Sequence, residues 1–308
     1  EQPDGKILLL NEYSPSSYMQ CAVTRYNVDG SIDLTFGTGG TVLFGDSGFG
    51  SHTFGVDPHL ALLSDGKLVY MRFDGGSNFY MLKLNPDGSP DTTLSPSGFK
   101  QINTGTQMGM LRRIVFTPDD KILATIYQPI GNNQVNMALI KFNANLTVDT
   151  TFSEDGIFEY MGSPGALLLS GNNIFLGLVY SDSAVLGNLH YDTGTINTSF
   201  GTNGFKPFNQ SLYKVKFLPD GKMVAICWIL PNRVLRRFDS DFNLDTTFAT
   251  NGSSDILPMS AINLDVQDDG KIVVVGTQGL AKTVLQRYTA DGFLDNNSGS
   301  PVSLFTTI

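Results

Sequence analysis

Side chains able to do chemistry are sparse in this chain of 308 residues: three histidines, two cysteines, and charged residues at 16%. Six polar ones stand at matching places ahead of a recurring turn. His59, Arg113, Lys214, Lys216, Asn263 and Asp265 lie four or six residues before Asp65, Asp119, Asp220 or Asp269. The residues three and five before the same turns are apolar, as in Leu60, Leu62, Ile114, Phe116, Val215, Phe217, Leu264 and Val266. Period-two alternation puts the two sets on opposite faces of a strand. Polar groups there need water or a partner, so the six are the candidate ligand-binding set. Two lysines and an arginine suit an anionic ligand. The same lysines beside Asn263 and Asp265 disfavour a metal cation.

Other reactive types read as structural. His52 and His59 stand seven residues apart, and His190 takes a place that sister segments give to Arg or Lys. Cys21 and Cys227 belong to different segments, and a disulfide needs Cα atoms within about 7 Å, so two free thiols are expected. Trp228 fits core packing in a strand. A catalytic centre would show a convergent base and orienter, and no such set stands out. No catalytic residue, metal or cofactor is expected. The net charge of −9 offers no basic face to nucleic acid. The longest apolar runs, such as 174–180, fall far short of the roughly 20 residues of a membrane span.

These residues are positioned by a repeat. A first marker, Asp4-Gly5-Lys6, returns as Asp65-Gly66-Lys67, Asp119-Asp120-Lys121, Gly171-Asn172-Asn173, Asp220-Gly221-Lys222 and Asp269-Gly270-Lys271. A second follows each: Arg25-Tyr26-Asn27, Lys83-Leu84-Asn85, Lys141-Phe142-Asn143, His190-Tyr191-Asp192, Arg237-Phe238-Asp239 and Arg287-Tyr288-Thr289. A third ends at Phe36, Leu94, Phe152, Phe200 and Phe248, spaced 58, 58, 48 and 48 residues apart. Short runs rich in Ile, Val, Leu and Tyr lie between the markers, which is the strand signature, and no helical period is sustained. Four strands in each of six units, about 1–58, 59–110, 111–163, 164–210, 211–259 and 260–308, predict a single all-β domain. Its pattern is that of a six-bladed β-propeller of four-stranded antiparallel blades. Seven blades, completed by residues outside this chain, is the alternative. A solenoid of stacked coils fits less well, because Asp-Gly-Lys joins its two strands as a tight hairpin.

The residue types at the markers predict their structural work. Glycine after Asp supplies the positive φ of a tight turn. Asp33, Asp91, Asp149 and Asp245 should accept backbone N–H bonds in their own loops. The recurring phenylalanines should plug the seams between neighbouring blades.

The marker set, Asp-Gly-Lys-Ile followed by Arg-Tyr-Asn-x-Asp-Gly-Ser-x-Asp-x-x-Phe-Gly-x-x-Gly, resembles the bacterial delta-60 repeat. Unit one carries it almost complete from Asp4 to Gly40. Unit four departs at Gly171-Asn172-Asn173, and unit six lacks the phenylalanine at Asp295-Asn296-Asn297-Ser298. The resemblance implies a propeller in exported or surface-attached bacterial proteins and carries over no catalytic residue.

The expected function is recognition: a non-enzymatic, extracellular or cell-surface module adhering to a protein or carbohydrate ligand on another surface. A hydrolase using the channel mouth and a structural spacer are the alternatives. By analogy with propellers of the same turn order, the strand before Asp-Gly-Lys is innermost and the six candidates line the channel mouth. The longer loops of units one to three offer further binding surface. Glu1-Gln2-Pro3 reads as the stub of an inner strand, so the chain is expected to belong to a longer polypeptide.

Overall fold

The computed structural model describes residues 2–13, 20–44, 59–73, 78–103, 109–131, 134–180, 184–208, 211–229, 232–278, 282–296 and 302–305. The loops around 14–19, 45–58, 104–108 and 132–133, with His52, lie outside them. Among the described residues there is no helix. The strands form six antiparallel sheets. Sheet I is β1 (Ile7–Tyr13), β2 (Gln20–Tyr26) and β3 (Thr41–Phe44). Sheet II is β4 (His59–Leu62), β5 (Leu68–Phe73), β6 (Asn78–Leu84) and β7 (Phe99–Asn103). Sheet III is β8 (Met110–Phe116), β9 (Ile122–Gly131), β10 (Gln134–Phe142) and β11 (Ile157–Met161). Sheet IV is β12 (Ser163–Ser170), β13 (Asn173–Val179), β14 (Ala184–His190) and β15 (Phe205–Pro207). Sheet V is β16 (Ser211–Phe217), β17 (Met223–Ile229) and β18 (Asn232–Phe238). Sheet VI is β19 (Ser260–Val266), β20 (Ile272–Gln278), β21 (Lys282–Tyr288) and β22 (Val302–Phe305).

The first marker makes the hairpins. In sheet II, Gly66 takes φ 79, its N–H donates to Leu63 O at 3.0 Å, and Asp65 Oδ1 accepts from Lys67 N at 3.0 Å. A side chain at that φ costs energy that glycine avoids. Sheet III makes the same turn with Asp120 at φ 60, a residue type that tolerates the left-handed region.

The expectation of four strands in every unit is corrected at sheet V, which has three among the described residues; sheet I also has three, in the unit whose inner strand reads as a stub. In sheet V the chain does return past β18, with Ser254 N donating to Leu235 O and Leu257 N to Arg233 O, both at 2.9 Å. The Ser254 hydroxyl, however, accepts from Leu235 N at 2.9 Å. A side-chain oxygen taking the ladder's donor breaks regular pairing.

The chain divides into two compact units. One holds residues 1–164 with the turn 192–195, and so sheets I to III; the other holds 165–191 and 196–308. In each, the core lies between consecutive sheets. Val69, Met71, Phe79 and Met81 pack with Ile122, Ala124 and Ile140 in the first. Val224, Ile226 and Leu235 pack with Leu264, Ile272 and Val274 in the second.

The plug phenylalanines behave as expected at three places. Phe36, Phe152 and Phe248 are fully buried, each against a glycine of the next turn: Gly88, Gly194 and Gly292. Elsewhere the volumes change in pairs. Leu94 packs against the cluster that holds Leu146, and Phe200 meets Phe242 at 6.0 Å between ring centroids. Phe242 sits at φ 61 where the turns around Gly88 and Gly292 have glycine, and Phe200 is half-exposed.

Candidate functional site

The markers meet in a polar triad that recurs in five sheets. In sheet I, Asp33 Oδ2 accepts from Lys6 Nζ at 2.9 Å and from Arg25 Nε at 2.8 Å. Its Oδ1 accepts from Thr35 N at 3.0 Å and Thr35 Oγ1 at 2.6 Å. The same set recurs as Lys67–Lys83–Asp91, Lys121–Lys141–Asp149, Lys222–Arg237–Asp245 and Lys271–Arg287–Asp295. The backbone N–H expected to bond each Asp at 33, 91, 149 and 245 is present, but each carboxylate also joins the first and second markers by charge. Arg25 extends further, its Nη1 donating to Pro86 O at 2.5 Å and Nη2 to Thr35 Oγ1 at 3.3 Å, with its guanidinium 4.6 Å above the Phe36 ring. Arg237 repeats this with Ala290 O, Thr247 and Phe248. These carboxylates are occupied by their own repeat, and no group of three metal-ligating side chains occurs among the described residues.

The triads hold their acids ionised. The Lys6 ammonium and the Thr35 hydroxyl keep Asp33 well below the ordinary carboxylate range. Burial opposes ionisation of Asp91, but Thr93 and Lys67 outweigh it and bring it to about 2. Asp245, bonded by Thr247 and Lys222, is also lowered. An acid held lower in the folded chain than in the unfolded one binds fewer protons folded. Its stabilisation is complete above the unfolded value and is lost as pH falls toward the folded one. The denaturant midpoint is therefore expected to be level above about pH 5 and to fall steeply between about pH 4 and pH 2. An unchanged midpoint at pH 3 would show that the triads contribute nothing.

Sheet IV breaks the pattern. Asn188 N donates to Gly204 O at 2.9 Å and Asn197 N to Asn188 O at 2.9 Å. These are the bonds that Arg25 makes with Gly40 and Asp33 in sheet I. Asn188, not His190, thus stands at the Arg or Lys position, which corrects the sequence alignment. The ladder pairs Ile174 with Leu189 as it pairs Ile7 with Tyr26, so Asn173 replaces the lysine. The triad here is three asparagines, with Asn197 Nδ2 donating to Asn173 Oδ1 at 3.5 Å. The signal in the sequence is spacing: nine residues separate Asn188 from Asn197, against eight from Arg25 to Asp33.

The six candidates lie on the first strands of their sheets. His59 opens β4 opposite Met71. Arg113 is half-buried in β8 and donates from Nη1 to Arg112 O at 2.9 Å. Lys214 is half-buried in β16, while Lys216, Asn263 and Asp265 are exposed. Lys216 Nζ and Asp265 Oδ1 come together at 2.7 Å across β16 and β19. Asn263 Oδ1 instead accepts from Leu264 N at 3.0 Å. The alternation holds here, with Leu264 buried beside exposed Asn263 and Asp265. Upstream it is interrupted: register shifts between Leu111 and Arg113, Leu212 and Lys214, and Ala261 and Asn263 leave one extra residue in each strand. These bulges let Leu111, Leu212 and Ala261 be buried two residues from a polar candidate. Cys21 and Cys227 are buried and outside any disulfide, and burial pushes Cys227 up to about 12.

Residues 2–36, 63–94, 117–152 and 267–297 match the model of a family described as a domain of unknown function (DUF5122) beta-propeller. Each stretch reaches the triad acid of its sheet, so these segments are repeats of a β-propeller family. No curated protein matches the chain. Among solved structures the chain is similar to the polysaccharide lyase Uly1, at 8% identity over 99% of this chain and 80% of that one, with a TM-score of 0.54. A protein from Lactobacillus plantarum gives 13% identity, coverage of 98% and 82%, and a TM-score of 0.53. The acylaminoacyl peptidase of Pyrococcus horikoshii gives 10%, coverage of 98% and 44%, and a TM-score of 0.50. The chain thus spans less than half of the peptidase's length. At these identities the likeness is one of fold.

Proposed function

We propose that the chain is a closed six-bladed propeller acting as a non-enzymatic recognition module of an exported or cell-surface protein, adhering to a glycan or protein ligand. One observation carries this reading. The charged groups that recur in every sheet but the fourth pair with one another inside their own repeat. Of the polar groups that differ from sheet to sheet, Lys216, Asn263 and Asp265 are exposed, and Arg113 and Lys214 are half-buried. A scaffold whose repeated polar residues are structural and whose variable ones face solvent suits binding better than chemistry. The resemblance of the repeats supports an exported setting.

The test is a glycan and protein array, with a hydrolase activity screen beside it. Array binding without turnover supports the reading; turnover, or binding to nothing on the array, overturns it. For an anionic ligand, Lys214→Glu with Lys216→Glu is expected to weaken binding at least tenfold. The Lys216–Asp265 pair is exposed, and such pairs are worth about 0–1 kcal/mol, so the thermal midpoint should stay within about 4 °C. Unaltered affinity in that variant would move the site to the loops.

A further inference from the structure

Sheet IV has lost its three charges together, and a cavity of about 760 Å³ opens where they would be. Its lining includes Asn173, Asn188, Asn197, Ser199 and Phe200, and the turn Ser240–Asn243 of sheet V. Sheet I provides the comparison. A groove of about 750 Å³ lies at the matching place, but its lining stops at Thr35 and includes none of the triad. There the Arg25 side chain closes the floor, spanning from Asp33 to Pro86 O and Thr35 Oγ1. Asn188 is too short to do so. Phe200 is left half-exposed, whereas Phe36 under Arg25 is fully buried.

Asn188 is 2% exposed, and its Oδ1 has no hydrogen-bond partner. Its Nδ2 reaches Ile174 O at a long 3.4 Å. An unmade bond on a buried amide costs about 1–3 kcal/mol. Turning the amide over leaves its nitrogen short instead, so no assignment of the two atoms satisfies it. Asn188 lines the cavity and its amide torsion is broad, so a hydroxyl bound there is the natural source of the missing hydrogen.

We propose that this cavity binds a neutral polyhydroxylated ligand, a sugar residue of a glycan. The proposal rests on the recognition reading and gives it a site apart from the β16–β19 strands. Three amides and the Ser199 hydroxyl offer both donors and acceptors, and the lining's one carboxylate, Asp241, is balanced by its one ammonium, Lys206, which matches hydroxyl groups rather than a net charge. The cavity's ammonium, Lys206, is held by Asp241 O at 2.5 Å and Asn243 Oδ1 at 2.8 Å. Phe200 and Phe205 supply the apolar wall against which the C–H face of a sugar ring packs. The volume falls in the range of about 300–1,000 Å³ usual for small-molecule sites.

The test uses the full chain with free cellobiose, lactose and N,N′-diacetylchitobiose, and with arginine methyl ester as the cationic probe, read by calorimetry and saturation-transfer NMR. At least one disaccharide is expected to bind with a Kd near about 1 mM, and the arginine ester is not. Asn188→Arg should weaken disaccharide binding at least tenfold, by covering the three amides as Arg25 closes the floor of its own groove. The triple variant Asn173→Lys, Asn188→Arg, Asn197→Asp rebuilds the sister triad and should lose binding while unfolding at no lower denaturant than the parent. Disaccharide binding that survives in both variants overturns the site but leaves the recognition reading standing. Binding of the arginine ester alone overturns the ligand class. Binding of none of the probes overturns the proposal, and the array separately decides whether recognition of another ligand remains.

Discussion

Asp149→Ala is expected to destabilise the chain by about 3–5 kcal/mol, the usual cost of removing one partner from a buried ion pair. Asp149 accepts from Thr151 Oγ1 at 2.6 Å and from Lys121 Nζ at 3.1 Å, and lies 3.8 Å from Lys141 Nζ. The Lys141 side chain is 1% exposed. Burial already pushes its ammonium below the ordinary lysine value, and Asp149, 3.8 Å away, is the strongest of the acids opposing that push. Without the carboxylate the buried ammonium loses the strongest of the acids that offset its burial, and the loop of the third marker loses its anchor. The measurement is denaturant unfolding, read as a lower midpoint at unchanged slope. Adding Lys141→Met removes the buried charge and should recover part of the loss. Asn197→Ala, at the matching place in sheet IV, breaks neutral contacts and should cost about 1 kcal/mol. Equal losses in sheets III and IV would show that charge plays no part in the triad.

The hairpins were legible because their signal is local: Asp-Gly-Lys specifies a turn within a few residues, and Gly5, Gly66, Gly221 and Gly270 all take φ near 80. Three of the plug phenylalanines were legible through their recurrence. The triad was visible only as three separate markers. That Lys6, Arg25 and Asp33 meet depends on how strands β1 and β2 fold the third marker back over them, which no single marker encodes. The bulges ahead of Arg113, Lys214 and Asn263 left no mark in the apolar pattern nearest the turn. Sheet IV misled for a different reason. His190-Tyr191-Asp192 looks like the second marker by residue type, while the backbone ladder follows hydrogen bonds and places Asn188-Leu189 there. One extra residue in the following turn conceals the shift. The candidate cavity therefore lay in the repeat whose departure from the pattern read as mere loss.

Phe248→Ala is expected to cost about 3–5 kcal/mol, the range for truncating a buried aromatic ring. The ring is fully buried, with the Arg237 guanidinium 5.0 Å above it. Below it lies Gly292 at φ 88, where a Cβ would come within 2.4 Å of the Phe248 ring. Alanine at 248 leaves a void that glycine cannot fill, and cores collapse only partly around such voids. Arg237 also loses the face it covers. Phe200→Ala is the control. Phe200 is half-exposed, and its neighbour Phe242 sits in a cluster with Phe175 and Phe217. Less area leaves water there, and a second large ring can relax toward the gap, so a loss below about 2 kcal/mol is expected. Denaturant midpoints of the two variants separate the cases. A loss at Phe248 no larger than at Phe200 would mean that the ring and glycine of the next turn are not a packed pair.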